Sequence, residues 1–269
     1  ICLMHGMEVD YYKKLFQTIG NILDLIEKDD IPKYLLFLEN AFPYMDNYNY
    51  HKGMKGIIQE LKVLLKTKSI GTNSDRALLL DFQATLETKP EKAIKLEKDA
   101  LAQIENITAD NARLVSNLHA NLGGLYRMNG HPDLAREHME KSISLLDQFN
   151  LLHINDSIPQ IANYAMFLTE QQEPERGISE LQKLSGIIKE YHSDDCLDYA
   201  KVQETLGTIY LMTANLPQAK THFKRAFKIY EKIWADEPEM IEAKYQEIQE
   251  LYPQIGFCIG KNLSGLLTK

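Results

Sequence analysis

Asn121-Leu122-Gly123-Gly124-Leu125-Tyr126 and Thr205-Leu206-Gly207-Thr208-Ile209-Tyr210 share the pattern Leu-Gly-x-x-Tyr at a separation of 84 residues. The likeness continues downstream: Ala135 and Ala219 stand twelve residues past the glycine of each pattern, Ser142 and Ala226 nineteen past. Half of 84 is 42, and a copy lies there too, Tyr164-Ala165-Met166-Phe167-Leu168 followed by Gly177 and Leu184. Another lies 42 residues before the first, Leu80-Asp81 with Ala84, Ala93 and Ala100. The small-residue column Ala93, Ala135, Gly177, Ala219 thus keeps a strict period of 42 across four copies. A fixed period of this size marks an array of stacked supersecondary units.

Prolines punctuate the array. Pro90, Pro132 and Pro174 are again 42 apart, and Pro217 misses the next slot by one. Proline is tolerated in the first helical turn, where its missing N–H would have no partner. Each period therefore reads as two helices, A and B, with B starting at the proline. Thr88-Lys89-Pro90-Glu91 has the pattern of a capping box, and Asn215 with Gln218 and Asp236 with Glu239 repeat it. Positions three and four apart share a helix face. Gly123, Ala135, Gly207 and Ala219 would let two helix backbones approach, while Leu122, Tyr126, Leu206, Tyr210 and Phe223 fill the space that remains. One helix pair cannot bury its apolar face, so pairs stack to share a continuous core.

With those residues in place, the pattern resembles the tetratricopeptide repeat. Leu122, Gly123, Tyr126, Ala135 and Ser142 match its signature, as do Leu206, Gly207, Tyr210, Ala219, Phe223 and Ala226. The family's usual period is 34. At 42 residues, and with Arg225–Lys232 followed by Asp236-Glu237-Pro238, the array is similar to the kinesin-light-chain subtype. The first copy departs by placing Asp81 at the glycine slot, the third by placing Gly177 where alanine is usual. The resemblance implies an all-α fold, a right-handed α–α superhelix (a TPR solenoid) of about five to six helix pairs. Residues 73–236 hold four repeats. Residues 1–72 form an N-terminal helical segment of eroded repeats, with helices expected over 7–29, 33–42 and 51–68. Residues 237–269 form a C-terminal partial repeat or cap, with helices over 238–252 and from Gly256 to Leu267.

Composition removes other classes of function. Hydrophobic residues are 44% of the 269 and charged residues 25%, an ordinary foldable balance. The net charge of −8 gives no global attraction to nucleic acid or anionic lipid. No apolar run approaches the roughly 18–20 residues of a membrane span. Cys2, Cys196 and Cys258 are odd in number and far apart, which fits a reducing, cytoplasmic setting better than a disulfide framework or a zinc site. The chain does not begin with Met and ends on an apolar stretch, which leaves room for an additional domain in a parent chain.

The family resemblance places the A helices on a concave face. The expected peptide-binding residues there are Asn117, Asn121 and Arg127 on the second A helix. Asn163 and Met166 stand on the third, and Lys201, Glu204 and Thr208 on the fourth. Asn121 and Asn163 occupy one slot 42 residues apart. In related proteins asparagines so placed hold the backbone of an extended peptide, since an amide both donates and accepts. Leu79 and Thr205 stand at the matching slots, so the ladder is incomplete. A carboxylate clamp of converging basic residues is not formed by Arg127 and Lys201 alone, with Glu204 a turn from Lys201.

Other clusters have plain readings. His192-Ser193-Asp194-Asp195-Cys196 gathers ligand types but falls at a helix start, where Ser and Asp are ordinary caps. His131 and His138 read as a surface pair. Gly256-Phe257-Cys258-Ile259-Gly260-Lys261-Asn262 lacks the spacing and the Ser or Thr of a phosphate loop. Lys52, Lys55, Lys62, Lys66 and Lys68 make one helix basic, a solvated face or a landing place for an anionic partner, beside Tyr44, Tyr48 and Tyr50. No nucleophile is tied to a base and an acid.

The reading is a non-catalytic scaffold with no cofactor or metal. It binds a protein or peptide, a partner helix included, and neither nucleic acid nor membrane. Two alternatives remain at this stage: a ligand-sensing or regulatory arm of a larger signalling ATPase or transcription regulator, and an enzyme on a helical scaffold. A closed pocket holding coupled, shifted ionisable groups would mark the enzyme.

Overall fold

In this computed structural model the described residues are 51–67, 71–154 and 156–251, with 33–35, 37, 38 and 41 before them. The expected helices over 7–29 and 256–267, the tyrosine loop and the glycine-rich heptapeptide from Gly256 lie outside them. The described residues hold ten long helices: α1 (His51–Thr67), α2 (Asn73–Thr85), α3 (Pro90–Leu101), α4 (Ala112–Met128), α5 (Pro132–Gln148), α6 (Ser157–Glu170), α7 (Pro174–Tyr191), α8 (Leu197–Met212), α9 (Leu216–Ile233) and α10 (Pro238–Leu251). The positions between 33 and 41 are helical as well. Among the described residues there is no strand.

The A helices are α2, α4, α6, α8 and α10, and the B helices are α3, α5, α7 and α9. Three of the four B helices begin at the periodic proline, and the fourth begins one residue before Pro217. The A-to-B turns repeat as strictly as the sequence. Gly130, Gln172 and Ala214 are 42 apart and all left-handed, with φ of 74°, 65° and 58°. After each, an amide reaches back across the helix end: His131 N–H to Tyr126 O at 3.0 Å, Glu173 N–H to Leu168 O at 2.8 Å, Asn215 N–H to Tyr210 O at 2.7 Å. These are Schellman closures, which satisfy carbonyls the helix end leaves open. Glycine suits that conformation, and only Gly130 supplies it.

The N-caps follow the sequence in part. Asn215 accepts from the Gln218 N–H at 3.4 Å. Thr88 does not cap α3, because Lys89 occupies the cap position directly before Pro90 and offers no side-chain bond. Thr88 therefore stands one residue too early. Asp236 is likewise two residues before the start of α10 at Pro238. The full capping box lies instead at α2, where Asp75 N–H donates to Thr72 Oγ1 at 3.2 Å and Thr72 N–H donates to Asp75 Oδ2 at 2.6 Å.

The chain divides into two compact units, 1–138 and 139–269. In the first, α1, α2 and α3 pack successively and α4 lies against α2 and α3. Its core gathers Leu38, Met54, Leu61, Phe82, Ala100 and Leu118, all 3% exposed or less. In the second, α6 pairs with α7, α8 with α9, and α8 also lies against both α6 and α7. Its core centres on Phe223, Leu206, Tyr199, Tyr230, Leu181 and Ala165.

The close helix approach expected at the small-residue slots is present in the second unit. A Cβ added to Gly207 would lie 2.9 Å from the Phe223 ring, and one added to Gly177 would lie 2.6 Å from the backbone oxygen of Ala165. The third copy has exchanged its two small residues: Ala165 stands where the second and fourth copies have glycine, and Gly177 where they have alanine. Helix contact there leaves no room for a methyl group on both sides.

Candidate partner-binding site

The expected site residues lie on the least buried stripe of each A helix. On α6 this stripe is Pro159, Asn163, Met166 and Glu170, at helical spacing between buried positions. On α8 it runs through Lys201, Glu204 and Thr208. Since α6 and α8 pack together, these two stripes are neighbours in the second unit. The Asn163 side chain is exposed and makes no hydrogen bond to another described residue. Met166 is half-buried against the core, leaving part of its thioether side chain outward. Lys201 is exposed with one weak partner, Asp198 at 3.8 Å in the same helix. Thr208 is half-exposed.

Glu204 is different. It accepts from Tyr230 Oη–H on α9 at 2.6 Å and pairs with Lys244 on α10, Nζ to Oε1 3.0 Å, with both side chains only about one-fifth exposed. Burial pushes the Tyr230 phenol far above its ordinary range, and the adjacent Glu204 charge pushes in the same direction. Burial alone would lower Lys244, but Glu204 and Glu247 outweigh it and hold the ammonium charged. Glu204 thus ties three helices together, and its charge is already compensated.

In the first unit, Asn117 and Arg127 are half-buried, and Asn121 is exposed. The Asn121 amide is committed: Nδ2 donates to Asp81 Oδ1 at 2.8 Å on α2 and to Glu97 Oε1 at 3.3 Å on α3. Glu97 is 2% exposed. Burial, then the charge of Asp81 and its hydrogen bond, push the Glu97 carboxyl up to about 10 against the opposing pull of Asn121. Two carboxylates sharing a site cannot both ionise cheaply, so Glu97 keeps its proton at neutral pH. The two asparagines of one sequence slot therefore have different availability: Asn121 holds an acid pair and Asn163 faces solvent.

A repeated histidine device went unread in the sequence. His138 stacks on Tyr126 with ring centroids 5.4 Å apart, and its Nδ1 lies 2.9 Å from that of His119. Exactly two periods on, His222 stacks on Tyr210 at 5.2 Å and its Nδ1 lies 2.9 Å from Gln203 Oε1. Burial lowers both histidines, with Lys98 adding to the effect at His138 and Arg225 at His222. His138 is thus half-buried between A and B helices, not on the surface as its spacing from His131 suggests; His131 is exposed. The signal was available as a shared 84-residue offset of Tyr and His. The His192–Cys196 segment is a cap, as expected, but the capping residue is Cys196, whose Sγ accepts from Tyr199 N–H at 3.4 Å. Among the described residues no group of three or more His, Cys, Asp or Glu could hold a metal ion. Among them, too, no helix is long and apolar enough to cross a membrane.

The family model for the tetratricopeptide repeat matches residues 157–232, which span α6 to α9. Residues 157–232 carry tetratricopeptide repeats. Its fold is shared with solved repeat proteins at low sequence identity. The crystal structure of BtubC (BKLC) from P. vanneervenii matches with a TM-score of 0.59 at 18% identity, over 77% of this chain and 83% of that one. A Q17M crystal structure of a Podosopora anserina kinesin light chain with nearly identical TPR-like repeats matches with a TM-score of 0.57 at 13% identity, over 74% of this chain and 96% of that one. A second structure of that Podosopora anserina protein gives 0.55 at 13% identity, over 73% and 96%. No curated protein matches the sequence. The fold is that of the all-α TPR solenoids, and its helix pairs are similar to those of these kinesin-light-chain-like repeat structures.

Proposed function

We propose that the chain is a non-catalytic TPR scaffold, and that it recognises an extended peptide or a partner's helix along the neighbouring stripes of α6 and α8. The observation that carries this is Asn163, an exposed amide with no partner among the described residues, set on a helix whose other faces are buried. An amide so placed can accept from and donate to a peptide backbone. Met166 beside it offers an adaptable apolar contact. Lys201 adds a charge that its weak pair with Asp198 leaves largely available, and Thr208 a hydroxyl. Asn117, Asn121, Arg127 and Glu204 serve the helix packing more than the groove in this reading.

The function takes place in the cytoplasm and involves neither nucleic acid nor membrane. Residues 73–236 supply the repeats, with 1–72 and 237–269 as flanking segments, and a parent chain carrying a further domain is compatible with it. The test is a hydrogen-exchange footprint. Peptides selected from a displayed random library against the whole chain should slow exchange in 157–170 and 197–212. Slowing confined to the B helices would sink the proposal.

A further inference from the structure

We infer that the first unit carries a second docking site, a lysine-lined cleft that takes an acidic segment of a partner protein. The cleft, about 660 Å³, opens between α1, the end of α2, and α3. Lys55 and Lys62 come from α1, Lys92 and Lys95 from α3. The floor includes Ile58, which is buried, and Leu96, which is half-buried. The one carboxylate among the described lining residues, Glu87, accepts from the Lys89 N–H at 3.1 Å.

Three features point to the occupant. First, the local charge is inverted: among the described lining residues four ammonium groups face one carboxylate, in a protein of net charge −8. Second, those charges are largely unspent. Lys55, Lys62 and Lys92 make no ion pair with another described residue, and Lys95 makes only an exposed pair with Asp99 at 2.5 Å. An exposed i,i+4 pair of that kind is weak and exchanges readily for another carboxylate. Third, the lining pairs cations with an apolar floor and, among the described residues, contains no aromatic ring. Single-stranded nucleic acid is held by stacking its bases on aromatic side chains, which the described lining lacks. A segment alternating Asp or Glu with an apolar residue meets both parts of the lining, the carboxylates at the lysines and the side chain on Ile58 and Leu96. The cleft shares no residue with the α6–α8 stripe, so the two sites stand or fall separately.

The test uses the full 269-residue chain and a fluorescein-labelled peptide of four Glu-Glu-Leu repeats, read by fluorescence anisotropy at low ionic strength. The Lys55→Ala/Lys92→Ala variant, and independently Lys62→Ala/Lys95→Ala, should each weaken binding at least about fivefold. Lys220→Ala/Lys224→Ala removes the same charge from the exposed face of α9 and should change affinity less than about twofold. All six lysines are exposed, so the fold should survive each change, which circular dichroism would verify. Equal losses from the α9 pair would show diffuse electrostatics and overturn the proposal. So would no binding by the unaltered chain, or tighter binding of a twelve-nucleotide single-stranded RNA than of the peptide.

Discussion

The first and last complete helix pairs, α2–α3 and α8–α9, fill the same sequence slots with opposite chemistry. In α8–α9, Gly207 makes room and Phe223 fills it, the ring entirely buried. Three periods earlier the slots of those two residues hold Asp81 and Glu97. Between them, the second copy has Gly123 with Met139 and the third Ala165 with Leu181. One position thus carries Phe, Leu, Met or Glu, while its partner shifts between glycine, alanine and aspartate. The backbone geometry tolerates this because the requirement is filled volume and satisfied polar atoms. An acid pair meets it in part by keeping one proton and recruiting Asn121, with Glu97 Oε2 buried and without a hydrogen-bond partner among the described residues. At these two slots the last pair relies on apolar burial, the first on a hydrogen-bonded polar contact whose balance depends on pH.

The comparison can be broken at its apolar end first. Phe223→Ala should destabilise the protein by about 3–5 kcal/mol, measured by urea unfolding, since a fully buried ring leaves a cavity beside a glycine that cannot fill it. A loss below about 1 kcal/mol would mean that the contact is not the keystone of that pair. Next comes overpacking. Gly207→Leu and Gly177→Ala should each cost about 1–3 kcal/mol, because the added Cβ meets the Phe223 ring in one case and backbone in the other. Gly177→Ala is the sharper of the two, since the Ala165 carbonyl cannot rotate away as a side chain can.

The polar end is sharpened by pH. Glu97 has a folded pKa well above that of an unfolded glutamate, so the folded state binds its proton more tightly. Its contribution is fully present below the ordinary carboxyl range, near pH 4.3. It declines as pH rises from there toward about 10. Glu97→Gln mimics the protonated acid and should flatten that part of the stability–pH curve, raising stability at pH 8 relative to pH 5. Unfolding curves at the two pH values give the answer, and an unchanged slope would refute the assignment. The smallest effect is expected at the repeated turn: Ala214→Gly and Gln172→Gly should each stabilise by about 0.5–1 kcal/mol by relieving a left-handed non-glycine residue. Asn215 N–H to Tyr210 O and Glu173 N–H to Leu168 O keep those turns fixed in either variant.

The repeat frame was legible because it rests on local rules that recur. Prolines mark B-helix starts, small residues mark close approach, and both hold a 42-residue period. The site was legible only as a stripe. Sequence places Asn121 and Asn163 in one slot, but their availability is decided by residues from other helices, Asp81 being 40 positions away and Glu97 24. Glu204 was readable as an outward charge on α8, yet Tyr230 and Lys244 converge on it from α9 and α10. Caps shifted by one residue, as at Thr88, show the other blind spot, since the exact first helical residue sets which side chain can reach the free amides.

The most direct test of recognition through the α6–α8 stripe compares two single variants against one peptide selected for binding to the unaltered chain. Asn163→Ala should weaken that peptide by about three- to tenfold, the worth of one or two backbone hydrogen bonds. Asn121→Ala should leave affinity within about twofold while changing the pH dependence of stability. Equal weakening by both substitutions, or none by Asn163→Ala, would contradict the account.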